Sequence, residues 1–165
     1  MICYIGIGSN LGNRIGYIKK ALVLLKKTGA VHLKKISPVY ETEPIGGPKK
    51  QSWYLNLAAK VRTDLSPEEL LILLKGVEKR AGRKTRKKKW SAREIDLDIL
   101  LCGKRVIFGK DLKVPHPLMH KRFFVLKPLS DIAMNLKHPV FNVSINRLLK
   151  MLKPATRAVA IEKAL

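Results

Sequence analysis

The sequence predicts an α+β domain: an antiparallel sheet with helices packed on one side and a C-terminal helical extension. Three observations carry that expectation. Four stretches have the length and apolar pattern of strands. Two others repeat apolar residues at helical spacing between recognisable caps. Their order is strand, helix, strand, strand, helix, strand, the βαββαβ order of the split-βαβ, ferredoxin-like arrangement.

The elements can be justified in turn. "ICYIGIG" reads as a buried first strand ending in glycines. Ser9 or Asn10 is expected to cap the helix that follows, in which Ile15, Ile18, Leu22 and Leu25 share a face until Gly29 stops it. "VHLKKISPVY" resumes extended structure with Pro38 interrupting it, and "EPIGGPKKQS" has the Gly and Pro content of an exposed loop. "WYLNLAAKVR" alternates, with Trp53, Leu55, Leu57 and Ala59 on one side and Tyr54, Asn56 and Ala58 on the other. The second helix is the most clearly signalled. Ser66 is its cap, Pro67 takes the first helical position and Glu69 completes a capping box. Leu70, Leu73, Leu74, Val77 and Ala81 form its apolar face, and Gly82 ends it. The basic connection "RKTRKKKW" leads into a fourth strand, "REIDLDILL". Beyond it, "VPHPLMHKRFFVLKPLSDIA" reads as a loop entering a helix, and residues 142–152 offer one more. No repeat, heptad array or linker interrupts the chain, so residues 1–165 are expected to form one domain around one core.

Charge narrows the partners. With 34 Lys+Arg against 12 Asp+Glu the net charge is +22, which calls for an anion: nucleic acid, an acidic membrane surface or a phosphorylated small molecule. Cys3 and Cys102, each inside an apolar run, argue against a disulfide framework or a cysteine zinc site and fit a reducing cytosol. "MICYIGIGSN" has neither a basic n-region nor a cleavage-type small-residue site, and the apolar runs fall short of the ~18 residues a membrane span needs. A cytoplasmic protein without a membrane partner is expected, acting as a monomer.

The sharpest chemical feature lies in "REIDLDILL". As a strand it sends Ile95, Leu97, Ile99 and Leu101 to one face and leaves Asp96 and Asp98 together on the other, about 7 Å apart between Cα atoms. At that distance two carboxylates repel by about 2.4 kcal/mol at an effective dielectric of about 20. Capping the strand end or pairing with basic neighbours is the plainer explanation, but Mg²⁺ held by one or two carboxylates plus substrate phosphates accounts better for the pair. The basic run beside it (Lys79, Arg80, Arg83, Lys84, Arg86 and Lys87 to Lys89) could be a solvated loop. Its position next to the aspartates, with Trp90 as a stacking surface and Arg93 at its end, favours a polyphosphate bridged by cations.

Other motifs are weaker. Gly6, Gly8 and Gly12 miss the dinucleotide fingerprint by one residue and lead to no Walker A, so a tight strand-to-helix turn is the preferred reading. His116 and His120 stand four apart, but Pro117 lies between them and no zinc-protease glutamate accompanies them. "HKRFFVLKP" lacks the glycines of an RNA-recognition signature. A basic RNA-binding module on the same topology remains the rival function, and the acidic pair speaks against it.

Taken together, "YIGIGSNLGNR", "SPVYETEPIGG", "YLNLA", "REIDLDILL" and "VPHPLMHKRFFVLKPL" resemble, in order and over nearly the whole chain, the 6-hydroxymethyl-7,8-dihydropterin pyrophosphokinases of folate biosynthesis. The resemblance implies transfer of the terminal diphosphate of ATP to the pterin hydroxymethyl group, leaving AMP. ATP and the pterin would be the partners and nucleic acid would not. Asp96 and Asp98 would hold two Mg²⁺ ions, and Arg83 and Arg93 would stabilise charge as the β-phosphorus is displaced. His116 and Arg122 match positions that contact the nucleotide phosphates, and Glu78 and Ile99 match positions near the adenosine. For the pterin, Asn56 matches the amide that bonds the ring, and Tyr54 and Phe124 match the aromatics that sandwich it. The backbone around Thr42 and Ile45 would add contacts, and Trp90 would close over the site. Thr85, Ser91, Ala92 and Lys121 depart from the family pattern, which bears on loop closure and nucleotide affinity. No neighbouring folate-pathway domain is attached, so a single-function enzyme is expected.

Overall fold

The computed structural model describes residues 1–44, 52–85, 91–152 and 158–161. The chain begins with β1 (Ile2–Ser9), α1 (Arg14–Lys27), β2 (Val31–Ile36) and β3 (Val39–Thr42). It continues through β4 (Tyr54–Thr63), α2 (Pro67–Ala81) and β5 (Asp96–Cys102). A small hairpin of β6 (Ile107–Phe108) and β7 (Lys113–Val114) follows, then a 3-10 turn (Met119–Lys121), α3 (Phe123–Ala133), α4 (Ile145–Met151) and β8 (Ala158–Ile161).

The main sheet runs β5-β1-β4, with β2 and β3 sharing the place beyond β4 and β8 lying outside β3. Every pairing is antiparallel. β2 and β3 are the two halves of one expected strand, separated at Ser37–Pro38, where proline cannot donate to a ladder. The expected ferredoxin-like order is therefore present. β6, β7 and β8 have no counterpart in the sequence reading, because runs of two to four residues carry too little periodicity.

Alternation along the strands makes two cores. On one face Ile5, Ile7, Leu57 and Leu97 meet Ile18 and Leu25 of α1 and Leu70 and Leu74 of α2. On the other, Tyr4, Ala58 and Leu100 meet Leu126 and Leu129 of α3 and Ile145 of α4. The C-terminal extension thus covers one end of the face opposite α1 and α2, and leaves the other end of that face open. No helix among the described residues is long and apolar enough to cross a membrane.

α2 forms as its signals predict: the Ser66–Glu69 capping box is complete and Gly82 closes the helix. Three expectations are corrected. The cap of α1 is Asn13, whose side chain accepts from the Gly16 amide. Ser9 belongs to β1 opposite Leu55, and the Asn10 side chain accepts from the Arg93 amide instead. Leu101 does not share a face with Leu97 and Ile99, because a β-bulge opposite Tyr4/Ile5 turns it to the α3 side. Cys3 and Cys102 are joined in a disulfide. The register of β1 and β5 sets them side by side, a pairing that 99 residues of separation hide in the sequence.

Candidate active site

The open end of the sheet is a cavity of about 760 Å³. Its floor follows from side-chain alternation. Gly6 and Gly8 of β1 face it, and Gly6 pairs with Asp98 while Gly8 pairs with Asp96 on one side and Asn56 on the other. The two glycines form a trough separating the acidic strand from Asn56, since a strand spacing of about 4.8 Å puts β5 and β4 about 10 Å apart. A Cβ on Gly8 would lie 3.0 Å from Asn56 Oδ1, so that amide keeps its place only above a glycine. Of the three glycines, only Gly12, at φ +63°, makes the turn the sequence suggested.

On the β5 side, both oxygens of Asp96 are engaged. Arg83 Nη1 donates to Oδ1 at 2.7 Å and Arg93 Nη1 to Oδ2 at 3.0 Å. Arg83 also pairs with Glu78 Oε2 at 2.5 Å. Burial lowers the basicity of Arg83, but Asp96 and Glu78 together outweigh it and hold the guanidinium above its ordinary value. Asp98 lines the cavity beside this network. Burial first, and the Asp96 charge second, push its carboxyl up to about 6. The two carboxylates thus have different surroundings: two arginines bond Asp96, whereas Asp98 is raised by burial first.

Backbone contacts from outside the motif fix Arg93. The Asn10 amide donates to the Arg93 carbonyl at 3.1 Å, and Asn10 Oδ1 accepts from the Arg93 amide at 2.8 Å. Asn10 is fully buried. Glu78, 2% exposed, does not line the cavity and lies beneath it. Its Oε1 accepts from the Leu97 amide at 2.7 Å and from Lys75 Nζ at 2.9 Å. Ile99 also stays outside the cavity lining, because its side chain faces the α1–α2 core.

His116, Arg122 and Phe124 form the wall contributed by the segment before α3 and its first turn. Burial, then the neighbouring Arg122, lowers the His116 imidazole to about 4, so it is neutral at pH 7. Its Nδ1 accepts from the Leu118 amide at 3.2 Å, which leaves the proton on Nε2 as a donor. The Arg122 guanidinium lies 5.6 Å from the centroid of the Phe124 ring. The remaining wall is Thr42, Tyr54 and Asn56, with Asn56 Nδ2 donating to Thr42 Oγ1 at 2.8 Å. Burial raises the Tyr54 phenol, so it stays protonated. Ile45 and Trp90 lie outside the described residues. Sequence reasoning missed Lys75 and Glu43, both of which line the cavity. Lys75 follows the apolar Leu73 and Leu74 of α2 on a face with no motif, so only the packing of α2 on β5 reveals it.

Lys75, Arg83, Arg93, Lys121 and Arg122 around two carboxylates have the charge and donors that suit a polyphosphate, set on a ferredoxin-like sheet. The fold and site therefore define a phosphate-handling α+β protein. The chain belongs to the family of 7,8-dihydro-6-hydroxymethylpterin-pyrophosphokinase (HPPK), which residues 4–134 match. It is 46% identical over 151 residues to the 2-amino-4-hydroxy-6-hydroxymethyldihydropteridine pyrophosphokinase of Aquifex aeolicus, covering 92% of this chain and 89% of that one. The Bacillus subtilis protein of the same name is 43% identical over 136 residues, 82% of this chain and 80% of that one. Among solved structures, Plasmodium falciparum HPPK-DHPS with pteroate superposes with a TM-score of 0.71 at 16% identity. That match covers 90% of this chain and 44% of the other, and it speaks for the fold alone.

Proposed function

We propose that the cavity carries out the family's reaction with the nucleotide on its β5 side and the pterin on its β4 side. As a pyrophosphokinase, the chain transfers the terminal diphosphate of ATP to 6-hydroxymethyl-7,8-dihydropterin in folate synthesis. The pterin hydroxyl oxygen bonds to the β-phosphorus, the bond from that phosphorus to the α,β-bridging oxygen breaks, and AMP leaves while the hydroxyl proton is lost. The observation that carries the reading is convergence. Four separate segments bring Arg83, the Arg93–Asp98 stretch, His116 with Arg122, and Tyr54 with Asn56 to one cavity.

The donor set fits Mg²⁺, which takes one or two carboxylates and completes its shell with phosphate and water. Asp96 and Asp98 would hold two such ions. When bound, they would neutralise the triphosphate and polarise the phosphoryl oxygens. Asp96 keeps a free lone pair on each oxygen beside the arginine it accepts from, so Arg83 and Arg93 would stand next to any cation held there and to the phosphates it carries. Both guanidinium groups are held at the cavity by Asp96, where they would stabilise charge as it develops on the transferred phosphoryl group. His116 donates through Nε2, and Arg122 adds a cation between nucleotide and Phe124. Asn56, locked by Thr42, offers an amide to the pterin edge between Tyr54 and Phe124. Glu78 supports rather than contacts the nucleotide, through Arg83 and the β5 backbone.

All these groups come from one chain, so a monomer acting as a single catalytic domain suffices. Use of ATP as co-substrate supports a cytoplasmic protein, although a disulfide is unusual there outside hyperthermophiles. Two carboxylates on the cavity face would repel a nucleic-acid backbone, which disfavours the RNA-binding rival. Incubation with ATP, Mg²⁺ and the reduced pterin should yield AMP and a pterin diphosphate in equal amounts. ADP as the only nucleotide product, or turnover indifferent to the pterin, would overturn the reading.

A further inference from the structure

We propose that Arg14 is a positioning residue for the pterin half of the site, bracing the last rung of the β3–β4 ladder from the face opposite the cavity. The proposal rests on the pyrophosphokinase reading and names a residue that acts on one substrate only. Arg14 opens α1 and is about 29% exposed. Its Nη1 donates to Glu41 Oε1 at 2.7 Å and to the Trp53 carbonyl, also at 2.7 Å.

Those two acceptors flank one rung. Thr42 pairs with Tyr54, and Glu41 and Trp53 are their immediate neighbours. Glu41 pairs with Leu55, which belongs to the α1–α2 core, so Glu41 faces α1. Thr42, Tyr54 and Asn56 face the cavity. One guanidinium therefore holds both arms of the ladder from behind, where the arms diverge into the long connection between β3 and β4. Ladder ends leading into long connections open most readily. Opening this end would free the Thr42 hydroxyl from the Asn56 amide, and with it the amide's orientation. An exposed ion pair alone contributes little, but a charged donor shared between a carboxylate and a backbone carbonyl is stronger. The nucleotide side stands on β5, α2 and the segment before α3, whereas among the described residues the Arg14 side chain bonds Glu41 and the Trp53 carbonyl.

The test compares Arg14→Met, Arg14→Lys and Glu41→Gln with the parent by steady-state AMP formation, thermal unfolding and amide hydrogen exchange. Loss of the charged donor shared by Glu41 and the Trp53 carbonyl predicts that Arg14→Met raises the pterin KM about tenfold and leaves the ATP KM and kcat within about twofold. Arg14→Lys should recover part of the loss, and Glu41→Gln, which keeps an acceptor, should fall between them. Exchange should quicken in peptides spanning 39–44 and 53–58 and stay unchanged over 96–102. A pterin KM within about twofold of the parent, or both KM values rising together with a lower melting temperature, overturns the proposal. If Arg14→Met fails to fold, the same split is read from the other two variants. A parent that makes no AMP defeats the pyrophosphokinase reading, whereas the exchange pattern still decides whether Arg14 braces the rung.

Discussion

On one face of β1, β4 and β5, the side chains of Ile5, Ile7, Leu57 and Leu97 are sealed under α1 and α2. One residue along, on the opposite face, Gly6, Gly8, Asn56 and Asp98 stand around an open cavity. The strands are the same, so a period of two separates what holds the fold from what lines the cavity. The separation is incomplete in an instructive way: α3 and α4 cover one end of the cavity face, and a second core forms there around Leu100, Leu126 and Leu129. The far face is therefore part core and part site, and the boundary runs across β1 between Tyr4 and Gly6.

Adjacent residues of β5 test the comparison most directly. Asp96→Asn or Asp98→Asn should lower turnover by about a thousandfold without loss of folding, because each removes charge from the wall proposed to face phosphate. AMP release and thermal unfolding measure the two effects, and near-normal turnover in both variants would remove the carboxylates from the mechanism. The largest stability effect is expected at Cys3–Cys102, on the helix face. The bond closes a loop of 99 residues, and by loop-closure entropy its reduction should cost about 4.7 kcal/mol of unfolding free energy. Denaturant titration with and without reductant gives the difference, and kcat should be unaltered below the transition. Leu97→Ala comes next: a fully buried leucine between the two aspartates should cost about 3 kcal/mol while the folded fraction keeps parental kinetics. A selective loss of turnover in Leu97→Ala would blur the division between faces.

What could be read in the chain follows the range of the interactions involved. The α2 capping box, the alternation of β4 and the facing of Asp96 and Asp98 are decided within a few residues, and all are present in the structure. The misread features depend on distant partners. Asn10 resembles a helix cap until Arg93, 83 residues away, takes its side chain. Leu101 changes face because of a bulge against Tyr4. Ten of the residues named through family resemblance, among them Asp96, Asp98, Asn56 and Arg122, line one cavity, whereas the resemblance does not say which of the named residues lie off it. Ile99 shows the limit most simply: alternation alone places it with Leu97 on the core face, away from the cavity lining.

The smallest expected effect sets the two substrate-facing walls against each other through pH, in protein without added metal. His116 is lowered to about 4 from an ordinary value near 6.5. The unfolded chain binds that proton more readily, so the His116 contribution to stability is present above pH 6.5 and is lost as pH falls toward 4. Asp98 is raised to about 6 from an ordinary value near 3.8. Here the folded chain binds the proton more readily, so its contribution is present below pH 3.8 and is lost as pH rises through 6. Over pH 4 to 6.5 the two slopes oppose each other, and the parent should change little on their account. Asp98→Asn removes one of them, so acidification from pH 6.5 to 4 should destabilise that variant more steeply than the parent. His116→Gln should do the reverse and gain stability relative to the parent over the same range. Each difference should be on the order of 1–2 kcal/mol, after allowing for the partial exposure of both groups. Denaturant midpoints at a series of pH values measure them. Parallel curves for all three proteins would mean that neither wall holds its titrating group in the state its surroundings dictate.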